Sequence, residues 1–183
     1  MDHLELFPTN VFRWGDVLSP EDFEMVKNAP FEDKQGVDIP ILEDFIKNKA
    51  VKEIMDKLLI NSEYEVEITE MWGNVLPTGY EHEYHNHPNN VFSGIFYLTD
   101  GTPTTFVDPR PANNLMQIDH QPSKHMGNII TMRAVPNSLL IFDNWLYHYV
   151  AVNKTPDVRK TISFNIIFRG EYGLDNSLAR VKI

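Results

Sequence analysis

Near Tyr64 the spacing of apolar residues changes, and that change constrains the fold more than any other feature of the chain. Before it, Ile41, Leu42, Phe45, Val51, Ile54, Met55, Leu58 and Leu59 recur at helical spacing, with Lys47, Lys49, Lys52, Glu53, Asp56 and Lys57 on much of the opposite face. Pro40 opens this helix and Asn48 marks a break in it. An earlier helix is predicted from Ser19-Pro20-Glu21-Asp22 to about Asn28. Serine caps free amide hydrogens, proline suits the first turn, and acids suit the positive end of the helix dipole.

From Tyr64 the period is two. Tyr64, Val66 and Ile68 alternate with Glu65, Glu67 and Thr69, as in a half-buried strand. Further strands are predicted at 92–98, 104–107, 128–133, 138–142, 147–150 and 161–168, separated by Pro- and Gly-containing turns. Helices first and short strands after predict a mainly β sandwich or barrel with the N-terminal helices packed on one sheet. The chain reads as one domain over 1–183, helical to about residue 62, with the β core from about 63 to 170. Residues 109–127 have little periodicity and read as a long loop of the kind that borders binding sites; it carries His120, Lys124 and His125.

Composition narrows the chemistry. The 183 residues carry 16 Lys+Arg against 26 Asp+Glu, a net charge of −10, which disfavours nucleic acid as a partner. There is no cysteine, so any metal is held by nitrogen and oxygen ligands. No signal-like leader or apolar stretch long enough to span a bilayer is evident, and the expected location is the cytoplasm, without a membrane partner. The sequon Asn153-Lys154-Thr155 is read as a chance match. Neither a phosphate-cradling glycine loop nor a Ser-His-Asp signature is present.

The seven histidines cluster. On a strand, His85 and His87 of the run Glu81–His87 would share a face with Glu83, while His82 and Tyr84 point away. Two such imidazoles can supply two metal ligands; a polar strand edge would account for them equally. His148 follows the apolar strand Ser138–Phe142, where alone it reads as a hydrogen-bonded core residue. In the last long strand Ile162, Phe164, Ile166 and Phe168 share one face; Arg159, Thr161, Ser163 and Asn165 share the other. An arginine on an inward polar face needs an anion, either a bound carboxylate or an internal acid.

Together, His85-Asn86-His87, the strand Ser93–Leu98, the run Thr104–Arg110, the strand Leu139–Phe142, His148 and Arg159 resemble, in order, the iron(II)/2-oxoglutarate-dependent oxygenases. The likeness is to the prolyl-hydroxylase-like branch and to a related group of small 2OG-Fe(II) oxygenases. It covers roughly Trp72 to Phe168. It implies a double-stranded β-helix, a cupin-like jelly roll, with iron(II) between the sheets. It also implies a dioxygenase that hydroxylates a C–H bond of a small-molecule or peptide substrate. Succinate and carbon dioxide would be co-products, and ascorbate a possible reductant. Carried over by position, His85 and His148 are iron ligands and Arg159 holds the distal carboxylate of 2-oxoglutarate. Thr161, Tyr97 and Ser93 line the same pocket, and Trp72 and Asn74 border the substrate.

One position departs from the family. Where it has a carboxylate ligand this chain has His87. The third ligand is therefore His87, or a carboxylate such as Glu83 or Asp143. Two other readings stay open at this point: a three-histidine cupin-type oxygenase that does not use 2-oxoglutarate, and a non-catalytic β-sandwich binding module.

Overall fold

The computed structural model describes residues 1–2, 8–108, 110, 127–173 and 178–183. His3 and most of the predicted loop, with His120, Lys124 and His125, lie outside them. Helix α1 spans Pro20–Asn28 and starts as its sequence requires. Ser19 Oγ accepts the Asp22 amide at 3.2 Å, and Phe23 and Val26 are the residues it buries. The second helical region is continuous but not uniform. It runs as α2 (Pro40–Phe45), a π-turn (Ile46–Ala50) and α3 (Val51–Leu58). The π-turn contains Asn48, the predicted break. An extra residue in the turn shifts the helical phase, and Leu42, Ile46, Ala50, Val51, Ile54 and Met55 all stay buried.

Among the described residues eleven strands follow or precede these helices: β1 (Val11–Trp14), β2 (Glu65–Leu76), β3 (His82–His85), β4 (Phe92–Tyr97), β5 (Gly101–Val107), β6 (Ile129–Ala134), β7 (Ser138–Asp143), β8 (His148–Val150), β9 (Arg159–Arg169), β10 (Glu171–Tyr172) and β11 (Val181–Lys182). The larger sheet has the order β1-β7-β4-β9-β2 and the smaller β3-β8-β5-β6; β10 and β11 pair separately. All described pairings between strands are antiparallel. This is the predicted mainly β jelly roll.

One expectation is corrected and one is sharpened. The first sixty residues are not wholly helical, because β1 pairs with β7, placing Val11 opposite Phe142 and Trp14 opposite Leu139. Strand β2 runs unbroken from Glu65 to Leu76, so the alternation from Tyr64 and the pair Trp72 and Asn74 belong to one strand. Its register with β9 shifts between Ile68 and Glu70, and this bulge interrupts the alternation visible in the sequence.

The faces of β9 divide as predicted. Ile162, Phe164, Ile166 and Phe168 join Phe92, Phe96, Leu139 and Ile141 beneath Leu42, Ile46 and Ile54 of the helical region. Each fully buried side chain of this kind contributes about 1.5–3 kcal/mol. The helices thus cover the outer face of the larger sheet. That leaves its inner face, Ile95, Tyr97, Leu140 and Phe142, to pack with Phe106 of the smaller sheet. Arg159, Thr161 and Asn74 are buried on that inner side. Among the described residues no helix is long and apolar enough to cross a membrane.

Asn153 ties the ends of the sheets together. It is 0% exposed. Its Nδ2 donates to the carbonyls of Leu76 (3.0 Å) and Asp157 (2.9 Å). Its Oδ1 accepts from Thr102 Oγ1 (3.1 Å), Thr155 N (3.1 Å) and Thr155 Oγ1 (2.7 Å). A side-chain nitrogen so engaged cannot carry a glycan in the folded state. Asn153→Ala removes the donor to two carbonyls and the acceptor for the Thr155 amide and the Thr102 and Thr155 hydroxyls, and is expected to lower unfolding free energy by about 3–5 kcal/mol. Urea unfolding of the two proteins measures this; a loss below about 1 kcal/mol would show that water replaces the amide.

Candidate metal centre

His85, His87 and His148 come together at one end of the space between the sheets. One ring nitrogen from each lies within 4.8 Å of the others. Ring centroids are 4.4 Å apart for His85–His148, 5.0 Å for His85–His87 and 5.2 Å for His87–His148. Neither Glu83 nor Asp143 belongs to this cluster. Asp143 Oδ2 instead accepts the amide of Asn10 at 3.3 Å.

The route to this arrangement differs from simple strand alternation. β3 ends at His85, so His87 lies beyond it, held by its amide donating to the Asn144 carbonyl at 3.1 Å. Within β3, His82 faces Val150 and His85 faces His148, three residues on one strand against two on the other. This register step reverses the expected parity. His82 shares the inward face with His85, and Glu83 and Tyr84 are exposed.

The donor set suits a divalent transition metal. His148 Nδ1 lies 3.1 Å from the Leu146 carbonyl and His85 Nδ1 lies 2.6 Å from the Glu83 carbonyl. A carbonyl can only accept, so both Nδ1 atoms carry the proton and both Nε2 lone pairs are left for the cluster. A backbone carbonyl on the non-ligating nitrogen is the usual outer support of a metal-bound histidine. Burial, with His85 adding to it, pushes His87 down to about 4 and His148 down to about 3, so both rings are neutral ligands at neutral pH. Three imidazoles with an adjoining cavity fit non-haem iron(II).

These buried neutral rings have a stability consequence. In the unfolded chain a histidine binds a proton near pH 6.5, whereas folded His148 does so only near 3. As pH falls through 6.5 the unfolded state gains protons first. Metal-free protein should therefore lose up to about 1.4 kcal/mol per pH unit from His148. His87 acts in the same direction until about pH 4. Urea midpoints in chelator at pH 7, 6 and 5 test this; equal midpoints would contradict it.

Deeper between the sheets lies Arg159, 2% exposed. Its Nε donates to the Thr102 carbonyl (2.9 Å) and its Nη2 to Thr104 Oγ1 (3.2 Å). Its guanidinium carbon sits 5.5 Å from the centre of the Tyr97 ring. Tyr97 Oη is 2.8 Å from the same Thr104 hydroxyl, and burial pushes the phenol above its ordinary value, keeping it protonated. Among the described residues no carboxylate pairs with Arg159. Thr161 lies opposite Tyr97 and accepts from Asn74 Nδ2 at 3.3 Å. Ser93 is inward and buried, but it sits opposite Asn165, four residues along β4 from Tyr97. Its hydroxyl donates to Asn165 Oδ1 (3.1 Å) and Asn90 Oδ1 (3.3 Å), so it is not gathered with Arg159.

A cavity of about 920 Å³ opens onto the cluster, lined by Lys34, Trp72, Asn74, His82, His85 and His87 among others. Trp72 lies against His87, with centroids 5.8 Å apart. Trp72 and Asn74 thus border the cavity. His82 and Tyr84, which strand alternation turns away from His85, line it as well.

A jelly roll with a nitrogen-ligand cluster and a buried arginine between its sheets defines the scaffold of a metal-dependent oxygenase. The model of the family described as "Putative 2OG-Fe(II) oxygenase" matches residues 70–165, just over half of the chain, and the chain belongs to that family of iron(II)- and 2-oxoglutarate-dependent enzymes. No curated protein matches it in sequence. Solved structures share its fold at low identity. A prolyl-4-hydroxylase from Pseudomonas putida is 12% identical with a TM-score of 0.61, over 88% of this chain and 94% of that one. The non-heme alpha ketoglutarate dependent epimerase SnoN from nogalamycin biosynthesis is 9% identical with a TM-score of 0.61, over 93% and 83%. EctD from S. alaskensis, crystallised with 2-oxoglutarate and 5-hydroxyectoine, is 14% identical with a TM-score of 0.60, over 87% and 72%.

Proposed function

We propose that this protein hydroxylates a C–H bond of a small-molecule or peptide substrate, with iron(II) held by His85, His87 and His148 and 2-oxoglutarate anchored at Arg159. The observation that carries this reading is Arg159: a guanidinium buried beside the Thr104 hydroxyl and the Tyr97 ring, with no acid among the described residues to neutralise it. Burying such a charge costs several kcal/mol unless an anion arrives. A dicarboxylate long enough to reach from Arg159 to the histidines would supply one. When bound, iron and 2-oxoglutarate supply the oxidising chemistry, with succinate and carbon dioxide as co-products.

The chain's own residues bind and orient. The guanidinium fork grips one carboxylate, while Tyr97 and Thr161 offer hydroxyls on the same wall. The three imidazoles fix the metal without adding negative charge, which favours a dianionic partner. The apolar wall of Ile95, Phe106, Leu140 and Phe142 keeps water from the interior. A cupin-type oxygenase independent of 2-oxoglutarate would need an internal acid on Arg159. A plain binding module would leave the histidines apart.

The exposed Glu70, Glu81 and Glu83 at the cavity, against Lys34, would repel a phosphodiester backbone, so we expect no nucleic-acid partner. A cysteine-free chain suits a reducing compartment, and we place the enzyme in the cytoplasm. The test is succinate formation from 2-oxoglutarate with iron(II) and ascorbate across a panel of amines, amino acids and peptides. Neither uncoupled nor substrate-driven succinate, together with no 2-oxoglutarate binding, would reject the proposal.

A further inference from the structure

We infer that His82 is a binding residue for 2-oxoglutarate, donating a ring N–H to a carboxylate oxygen of the dicarboxylate; the assignment rests on the function proposed above. Register places the residue. On β8 the inward side chains are His148 and Val150, 3% and 4% exposed. Directly paired residues of antiparallel strands face the same side. His82 is paired with Val150 and His85 with His148, so His82 looks inward. It sits one inward step from the metal ligands, about 7 Å along the strand.

The step leads towards Arg159. Across β8, Phe106 is paired with His148 and Thr105 with Tyr149, so the next residue, Thr104, which accepts from Arg159, comes level with Val150 and His82. A five-carbon dicarboxylate reaching from Arg159 to the metal ligands passes this position. The imidazole is half-buried, lines the cavity, and forms no side-chain hydrogen bond with any described residue. Among the described residues no buried side-chain nitrogen lacks a partner, so the ring nitrogens of His82 reach the cavity, where a ligand can meet them. Arg159 needs help, because its Nε and Nη2 already donate to Thr102 and Thr104. Desolvation first, then the Arg159 charge, hold His82 below the usual histidine range. It therefore contributes a hydrogen bond and not a second cation.

The experiment is titration calorimetry of 2-oxoglutarate into nickel(II)-loaded protein, in which no turnover occurs. It is run on wild type, His82→Ala, His82→Phe and His82→Gln, with nickel affinity and thermal unfolding measured alongside. Loss of one hydrogen bond to a carboxylate weakens binding by about 10- to 100-fold, the change expected for His82→Ala and His82→Phe. His82→Gln retains an N–H donor and should bind within about threefold of wild type. Nickel affinity should not move in any of the three. Folded His82→Ala and His82→Phe proteins that bind 2-oxoglutarate as wild type does would overturn the assignment alone. So would equal weakening in all three variants together with loss of nickel, which marks a structural role at the metal ligands. Wild-type protein that loads nickel but takes up no 2-oxoglutarate would reject the proposed function, and the assignment with it.

Discussion

His148→Ala is expected to lower iron(II) affinity by more than about 100-fold and to bring succinate formation to background. Removing an outer support of a metal ligand already costs about 10- to 100-fold, and a ligand itself costs more. His148 should be the most sensitive of the three. It is 3% exposed, stands within β8, and has its Nδ1 locked on the Leu146 carbonyl. His85 is fixed in a similar way by the Glu83 carbonyl. His87 lies past the end of β3, half-buried, and its ring makes no hydrogen bond to a described residue. The order of loss should therefore be His148, then His85, then His87. Truncating His148 opens a gap in the Phe106–Phe142 wall. His148→Gln, closer in size, therefore serves beside it to separate metal loss from unfolding. Iron binding at wild-type strength in both variants would remove His148 from the metal centre.

Much of this centre is visible in the sequence, and what is hidden is hidden for identifiable reasons. The alternation Ile162-Phe164-Ile166-Phe168 against Arg159-Thr161-Ser163-Asn165 is uninterrupted, so it predicts both faces of β9 correctly. Ser19 and Pro20 announce α1 because capping is a local interaction. Strand β1 escapes because four residues are too few to display a period, and its stability comes from pairing with β7 more than a hundred residues away. The bulge at Ile68–Glu70 adds one residue and reverses the parity beyond it, which hides that the alternation from Tyr64 and the pair Trp72 and Asn74 lie on one strand. The same arithmetic misplaces His82 and Glu83. One added residue between His82 and His85 exchanges their faces, and only the partner strand reveals it. His87 joins the histidine cluster although it is not on a strand, since its backbone is fixed by Asn144, a contact across the fold. Ser93 shows the opposite limit. Parity turns it inward as expected, but parity cannot say how far along the sheet it lies from Arg159.

Arg159→Met is expected to do two opposite things: to abolish measurable 2-oxoglutarate binding, and to make the ligand-free protein more stable. Binding falls because the guanidinium is the one buried cation facing the interior among the described residues, and its fork matches a carboxylate. Truncating one partner of a buried charged pair costs about 2–5 kcal/mol, or about 30- to 5000-fold in affinity. Stability rises because, without ligand, Arg159 is a desolvated charge beside only a carbonyl, a hydroxyl and the Tyr97 ring. Burial pulls its pKa below the ordinary arginine value without removing the charge. Methionine keeps the unbranched shape and removes that penalty. Replacing buried ionic groups with well-packed apolar residues is neutral or stabilising by about 1–4 kcal/mol. Part of the gain is lost where the Thr102 carbonyl is left without its donor. Arg159→Lys should recover little binding, because an ammonium cannot reproduce the fork and no longer reaches Thr102 and Thr104 together. Adding saturating 2-oxoglutarate should raise the unfolding temperature of metal-loaded wild type and leave Arg159→Met unmoved. An Arg159→Met protein that is destabilised by several kcal/mol, yet still stabilised by 2-oxoglutarate, would mean that the arginine serves the fold and the dicarboxylate binds elsewhere.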